Sequence, residues 1–382
     1  MDARVGRDRK DRRRAFEADQ IDLAAGIGQR HRVVLHAGAA AQVSEYDNGG
    51  SHVSIYLLLA LGSAVLAVVL TPLVARASLL LGLVDAPGGR KVHAESVPRL
   101  GGVAIVVAAI LGMILALAVA PGRLAPDIWT TLRPLLLAGG LIFLVGILDD
   151  IRGVGPAPKL AIELVAALIV MTSGLLIQRV TLLGVSWDLG WLAWPVTIVW
   201  LVGMTNAFNL LDGIDGLAAG IAVIAGGACG AILIVRGHPA EAMLLAAVVG
   251  AALGFLVFNF SPASIFLGDC GSLLFGFILA ATAIAGWQKG ATALAAGVPL
   301  LIFALPIADS AGTLIRRGFA RPEGKPVSIG SVLRQLAEPD RQHIHHRLVG
   351  LGWSTRRTVL ILYAVTGVLS MLALATARVN TP

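Results

Sequence analysis

From Val53 to its C-terminus the chain is a train of long apolar runs separated by short polar connections. That alternation limits the folds open to it. A helix needs about 20 apolar residues to cross the hydrocarbon layer, where every backbone group must bond internally. Ten such runs are predicted, at 54–75, 101–120, 133–148, 159–177, 191–208, 216–235, 240–258, 271–287, 291–313 and 357–377. Charged residues make up 14% of the chain, against about 25% in soluble domains, and the mean hydropathy is +0.82. A soluble globular enzyme, a disordered chain and a fibrous repeat are excluded. The expected fold class is an all-α polytopic membrane protein of about ten transmembrane helices. The 45 glycines suit close helix packing in lipid. Cys229 and Cys270 lie in or beside apolar runs and form neither a metal-ligand spacing nor a disulfide framework.

Residues 1–52 hold 9 basic and 8 acidic side chains and no apolar stretch of signal-peptide type. They are expected to form a charged, disordered tail, which a start codon chosen too far upstream would account for. The transmembrane domain is expected over 53–382. In the loop set 76–100, 149–159, 207–215, 259–270 and 314–357 there are 15 Lys and Arg, while the alternate set holds 6. The positive-inside preference therefore makes the first set cytoplasmic. Residues 178–190, with Gly184 near the turn, alternate like a small hairpin that falls on the outer side. The basic excess is then topological, and no nucleic-acid partner is expected.

Polar chemistry concentrates in the cytoplasmic set. A lipid or ion transporter would instead carry ionisable groups near the midplane and relate its halves by a repeat. The runs are nearly free of charge, with Glu163 and Asp309 as the exceptions, and no repeat is evident. A passive structural protein leaves the clustered Asn, Asp and His unexplained. An enzyme working at the cytoplasmic interface fits best.

Asp149-Asp150 ends one run and is followed by Lys159. Adjacent carboxylates repel and call for a nearby cation, although a solvated helix end would read the same way. Asn206, Asn209 and Asp212 recur every three residues, which brings them together on a helix. Asp215 follows between Gly213 and Gly216, and the oxygens of this set suit Mg²⁺ or sugar and base groups. Asp269 stands between glycines at a run's inner end, as a helix N-cap or, in the favoured reading, a metal ligand whose partner oxygens come from phosphates. His343, His345, His346 and Arg347 lie in the largest cytoplasmic loop. Their spacing matches no zinc motif, and donors to a diphosphate fit better. Arg90, Lys91, His93 and Arg99 add cations on the same side. Neither a Gly-x-x-x-x-Gly-Lys-Ser/Thr loop nor a Gly-x-Gly-x-x-Gly turn after a strand is present.

The ordered set Asp-x-Pro-x-x-Arg-Lys-x-His, Pro-Arg-x-Gly-Gly, Asp-Asp, Asn-x-x-Asn-x-x-Asp-Gly-x-Asp-Gly-Leu, Gly-Asp-x-Gly-Ser and His-x-His-His-Arg resembles the polyprenyl-phosphate N-acetylhexosamine-1-phosphate transferases, of glycosyltransferase family 4 type. The likeness runs from about Val53 to Ala377. It implies a Mg²⁺ (or Mn²⁺) enzyme of the bacterial inner membrane, with its active site on the cytoplasmic face. Such an enzyme moves a sugar 1-phosphate from a UDP-sugar to a polyprenyl phosphate, releases UMP and starts cell-envelope glycan synthesis. By the same likeness, Asp149 and Asp150 lie near the lipid phosphate and Lys159 near the diphosphate. Asn209 and Asp269 contact the metal. Asn206, Asp212 and Asp215 bind substrate, as do Arg90, Lys91, His93 and Arg99. His343, His345, His346 and Arg347 stand beside the sugar diphosphate. The His-Ile-His-His-Arg form resembles the branch using UDP-N-acetylglucosamine rather than UDP-N-acetylmuramoyl-pentapeptide. The implied partners are the UDP-sugar, undecaprenyl or decaprenyl phosphate and the membrane, with homodimerisation left open.

Overall fold

The computed structural model describes residues 54–85, 96–119, 128–182, 185–288, 297–319 and 343–379. The tail 1–52, with its expected disorder, and the segment holding Arg90, Lys91 and His93 lie outside the described residues. The long helices are α1 (Ser54–Leu80), α2 (Gly101–Val119), α3 (Ile128–Arg152), α4 (Pro156–Thr172), α5 (Ala193–Leu211), α6 (Leu217–Val235), α7 (Pro239–Asn259) and α8 (Asp269–Gln288). The short α9 (Gly297–Ile302), α10 (Ala304–Phe319), the seven-residue α11 (Ile344–Gly350) and α12 (Thr355–Val379) complete them. Two antiparallel strand pairs interrupt the series. Val84–Asp85 pairs with Val97–Pro98, and Arg179–Leu182 pairs with Val185–Asp188.

Among the described residues eight helices are long and apolar enough to cross a membrane, not ten. The two expected spans outside that set have clear physical causes. Helix α4 has 17 residues, the lower edge of a spanning length. The run 291–313 is broken near Phe303, because Pro306 has no N–H to offer the Ile302 carbonyl. Two other boundaries also moved. Helix α3 continues through Asp149 and Asp150, and α5 continues through Asn209, so these residues sit on final helical turns and not in loops.

Helix α8 is the centre of the bundle. It packs on α2, α3, α5, α6 and α7, and 89% of its membrane-length stretch is buried, against 22% for α1. Its buried Phe275, Phe277, Leu273 and Ile284 join one continuous core with Phe208, Phe255 and Phe303. Three buried threonine hydroxyls are satisfied inside their own helices: Thr71 donates to the Ala67 carbonyl (2.6 Å), Thr205 to Leu201 (2.7 Å) and Thr282 to Ile278 (2.7 Å). Helix α1 meets α7 through small residues. Gly250 and Gly254, one turn apart, face the carbonyls of Ala60 and Ala64, and a Cβ at either would strike that backbone. This is the close approach that glycine allows between helices in lipid.

Gly250→Ala should therefore lower the melting temperature in detergent by several degrees, since overpacking costs about 1–3 kcal/mol. Gly140→Ala, whose new methyl meets open space, is the control expected to leave it unchanged. Equal melting of the two variants would refute the contact.

Candidate active site

The polar residues of the sequence motifs gather at one end of the bundle, where α3 and α5 end and α4 and α8 begin. Asp149 and Asp150 are neighbours on the last turns of α3, and successive helical side chains point about 100° apart. They accordingly take different partners. Lys159, on the first turn of α4, sets its Nζ 3.2 Å from Asp149 Oδ2 and 2.9 Å from Asp269 Oδ2. Asp150 accepts instead from the backbone N–H groups of Asp269 (2.9 Å) and Cys270 (3.0 Å). Asp150 thus caps α8 from another helix, and its charge complements the helix dipole there. The N-cap reading considered for Asp269 is displaced: Asp269 is the first residue of α8, and its carboxylate is turned to Lys159.

Backbone shape makes this cap reachable. Gly146 of α3 and Gly102 of α2 face the backbone of Cys270 and Gly271, where a Cβ would collide. Gly268, with φ +77°, turns the chain into the helix.

Asn209 and Asn206 lie one turn apart on α5 but serve different neighbours. Asn209 lies beside the Asp269 carboxylate. Asn206 donates from Nδ2 to Glu163 Oε2 at 2.6 Å. Glu163 is buried on α4 one turn after Lys159, and the sequence reading gave it no role. Its signal was present, because an acid within an apolar run flags a site. The Asp212 pKa is raised well above the usual carboxylate range by burial and then by Asp269, Asp150 and Asp215. Asp215 is buried and accepts from the Ala263 N–H at 3.0 Å.

The histidine segment folds as α11 and closes on the Asp212–Gly216 turn. The buried His345 ring lies against Gly213, and among the described residues neither ring nitrogen has a hydrogen-bond partner. It stacks on His343 (5.7 Å between centroids, planes 5° apart) and touches His346 at 4.3 Å. His346 and Arg347 are exposed. Helix α12 braces this end, with the Tyr363 hydroxyl donating to the Gly216 carbonyl and Arg356 Nε to Ser261 O at 2.7 Å. The Arg99 carbonyl lies against Gly268, but its side chain turns away and pairs with Asp85 between the short strands.

Among the described residues no three His, Cys, Asp or Glu side chains form a metal cage. The donors around Asp269 are nevertheless hard oxygens, from Asp149 and Asn209. Mg²⁺ takes one or two carboxylates and completes its shell with phosphates and water, so the donor set fits such an ion. Asp149 and Asp269 already draw the Lys159 ammonium between them, the mark of a place that demands positive charge.

A helical bundle with acids, amides and a lysine converging at one end, and histidines and arginine beside them, defines a polytopic membrane enzyme. The sequence model of glycosyl transferase family 4 matches residues 132–287, the stretch carrying Asp149 through Asp269. A probable undecaprenyl-phosphate N-acetylglucosaminyl 1-phosphate transferase of Bacillus subtilis is 35% identical over 82% of each chain. A decaprenyl-phosphate N-acetylglucosaminephosphotransferase of Mycolicibacterium smegmatis is 31% identical over 84% of this chain and 81% of its own. A phospho-N-acetylmuramoyl-pentapeptide-transferase of Synechococcus is 33% identical over 82% and 88%. The chain belongs to glycosyl transferase family 4.

Burial, then the neighbouring His346 and His343, push the His345 pKa down from 6.5 to about 4. Between those values the unfolded chain binds a proton that the folded chain does not. Stability must therefore fall as pH drops from about 6.5 towards 4. Melting followed across that window should show this fall, and His345→Asn should lessen it. A variant with an unchanged pH slope would refute the assignment.

Proposed function

We propose that the chain transfers N-acetylglucosamine 1-phosphate from UDP-N-acetylglucosamine to a polyprenyl phosphate, undecaprenyl or decaprenyl, and releases UMP. The reaction takes place at the cytoplasmic face of a bacterial inner membrane and starts an envelope glycan. The observation that carries this reading is the Asp149–Lys159–Asp269 cluster, joined by Asn209 and approached by the histidine helix. The names of the relatives above and the His-Ile-His-His-Arg form support the choice of sugar.

The chemistry brings two anions together. An oxygen of the lipid phosphate forms a bond to the sugar-bearing phosphorus of the donor, and the bond from that phosphorus to UMP breaks. A phosphate monoester has its second pKa near 6, so the attacking group needs little deprotonation and positioning dominates. Asp269 and Asn209 would hold Mg²⁺ or Mn²⁺, which when bound supplies positive charge to the diphosphate and the leaving UMP. Lys159 adds an ammonium on the same side, and His346 and Arg347 offer exposed donors. Asp149, on the other side of Lys159, orients the lipid phosphate through that lysine. Asp150 keeps α8, and with it Asp269, in place. Asp212 and Asp215 hold the loop that receives the nucleotide.

The test is UMP release by the purified protein. It should require both a divalent cation and polyprenyl phosphate, and UDP-N-acetylmuramoyl-pentapeptide should be refused. Comparable turnover of the peptide-bearing donor would move the chain to the other branch, represented by the Synechococcus relative. Asp269→Asn, which keeps shape and removes charge, should lower kcat on the order of 10²–10³-fold while insertion and purification stay normal. Near-normal turnover at limiting Mg²⁺ would remove Asp269 from the metal site.

A further inference from the structure

Helix α10 carries a buried acid, Asp309, that none of the roles above uses; only 2% of its side chain is exposed. An ionised carboxylate so far from water is costly unless its oxygens are fully engaged. Both are, and by consecutive residues of one distant segment. His343 Nδ1–H donates to Asp309 Oδ2 at 2.8 Å, and the Ile344 backbone N–H donates to Oδ1 at 2.7 Å. The grip therefore holds one side chain and the backbone beside it, just where α11 begins. Thr313, one turn further along α10, stands 3.4 Å from the same His343 nitrogen.

The seven residues of α11 are too few to form a stable helix by themselves. Their placement depends on external contacts, and Asp309 supplies two. From His343 the contact continues through the stacked His345 ring to Gly213. A fixed α11 also fixes the direction of His346 and Arg347, the exposed pair that follow on the same turn.

We infer that Asp309 is a positioning residue for the donor substrate: by holding His343 and the start of α11 it aims His346 and Arg347 at the UDP-sugar diphosphate. This rests on the function proposed above. The effect is confined to the donor because α11 bears on the Gly213 loop, whereas the acceptor side is built from α3, α4 and α8, which Asp309 does not touch by any described bond. The carboxylate also sets the His343 tautomer, with the proton on Nδ1 facing Asp309.

Steady-state kinetics of the full-length chain in detergent, varying each substrate in turn, test the inference. Asp309→Ala should raise the KM for UDP-N-acetylglucosamine on the order of 10–100-fold, with the KM for polyprenyl phosphate within about twofold of wild type. Asp309→Asn keeps an oxygen for the Ile344 N–H and should recover part of that loss. His343→Ala added to Asp309→Ala should cost little more, since both act through one contact. Hydrogen exchange over residues 344–350 should rise in Asp309→Ala and return towards wild type in Asp309→Asn. Equal rises in both KM values, losses that multiply in the double variant, or unchanged exchange would each overturn the inference. Should Asp309→Ala fail to fold, the same KM split in Asp309→Asn decides it. If the wild type uses no UDP-N-acetylglucosamine, the functional reading fails, and the exchange measurement decides the clamp by itself.

Discussion

One ammonium ties three helices together at the polar end of the bundle. Lys159 reaches from α4 to Asp149 on α3 and Asp269 on α8, and neither acid could be packed there cheaply without it. The neighbouring Asp150 solves the same electrostatic problem with backbone N–H groups, by capping α8. That cap requires α3 and α2 to approach the start of α8 closely, which Gly146 and Gly102 permit. The order of dependence is therefore glycine, helix approach, cap, and only then an Asp269 carboxylate turned to Lys159. A larger residue at Gly146 acts on the site without touching any group that bears charge.

Much of this end was readable from residue order, and the unreadable parts share a cause. The apolar runs predicted the long helices, because length and hydropathy are local properties. Helix ends were harder: Asp149, Asp150 and Asn209 are polar enough to suggest loops, yet the helices continue through them, past the apolar stretch. The three-residue spacing placed Asn206 and Asn209 near each other. It could not show that one serves Glu163 and the other Asp269, since those partners come from α4 and α8. Asp215 is the clearest case. Its motif position suggests a ligand-facing acid, whereas its carboxylate accepts from the Ala263 N–H, a partner 48 residues on that no periodicity could reveal.

The run 291–313 holds a contact that its hydropathy hides. An acid within an apolar run is costly unless its oxygens are engaged. Asp309, on α10, meets the N-terminal end of α11, where a histidine and a backbone amide satisfy it. Helix α10 and the segment that opens at His343 thus meet through a single carboxylate. Sequence separation conceals such contacts, and the burial of an otherwise purposeless acid is what exposes them.

The two sides of the site also differ in what surrounds them. Beside Lys159 the outer face of α4 presents Leu160, Leu164 and Leu168, and α3 presents Leu148 and Ile151, all exposed. An apolar face next to a lysine suits an acceptor that arrives within the membrane with its phosphate leading. The opposite side is formed by turns, Gly213 through Gly216 and the start of α11, where exposed His346 and Arg347 suit a donor arriving from water. Under the proposed reaction these approaches meet at Asp269, which faces Lys159 from one direction and Asn209 from the other. A water-soluble fold offers a reacting pair one solvent; this bundle end offers each substrate its own, and the acids between them need only hold position and charge.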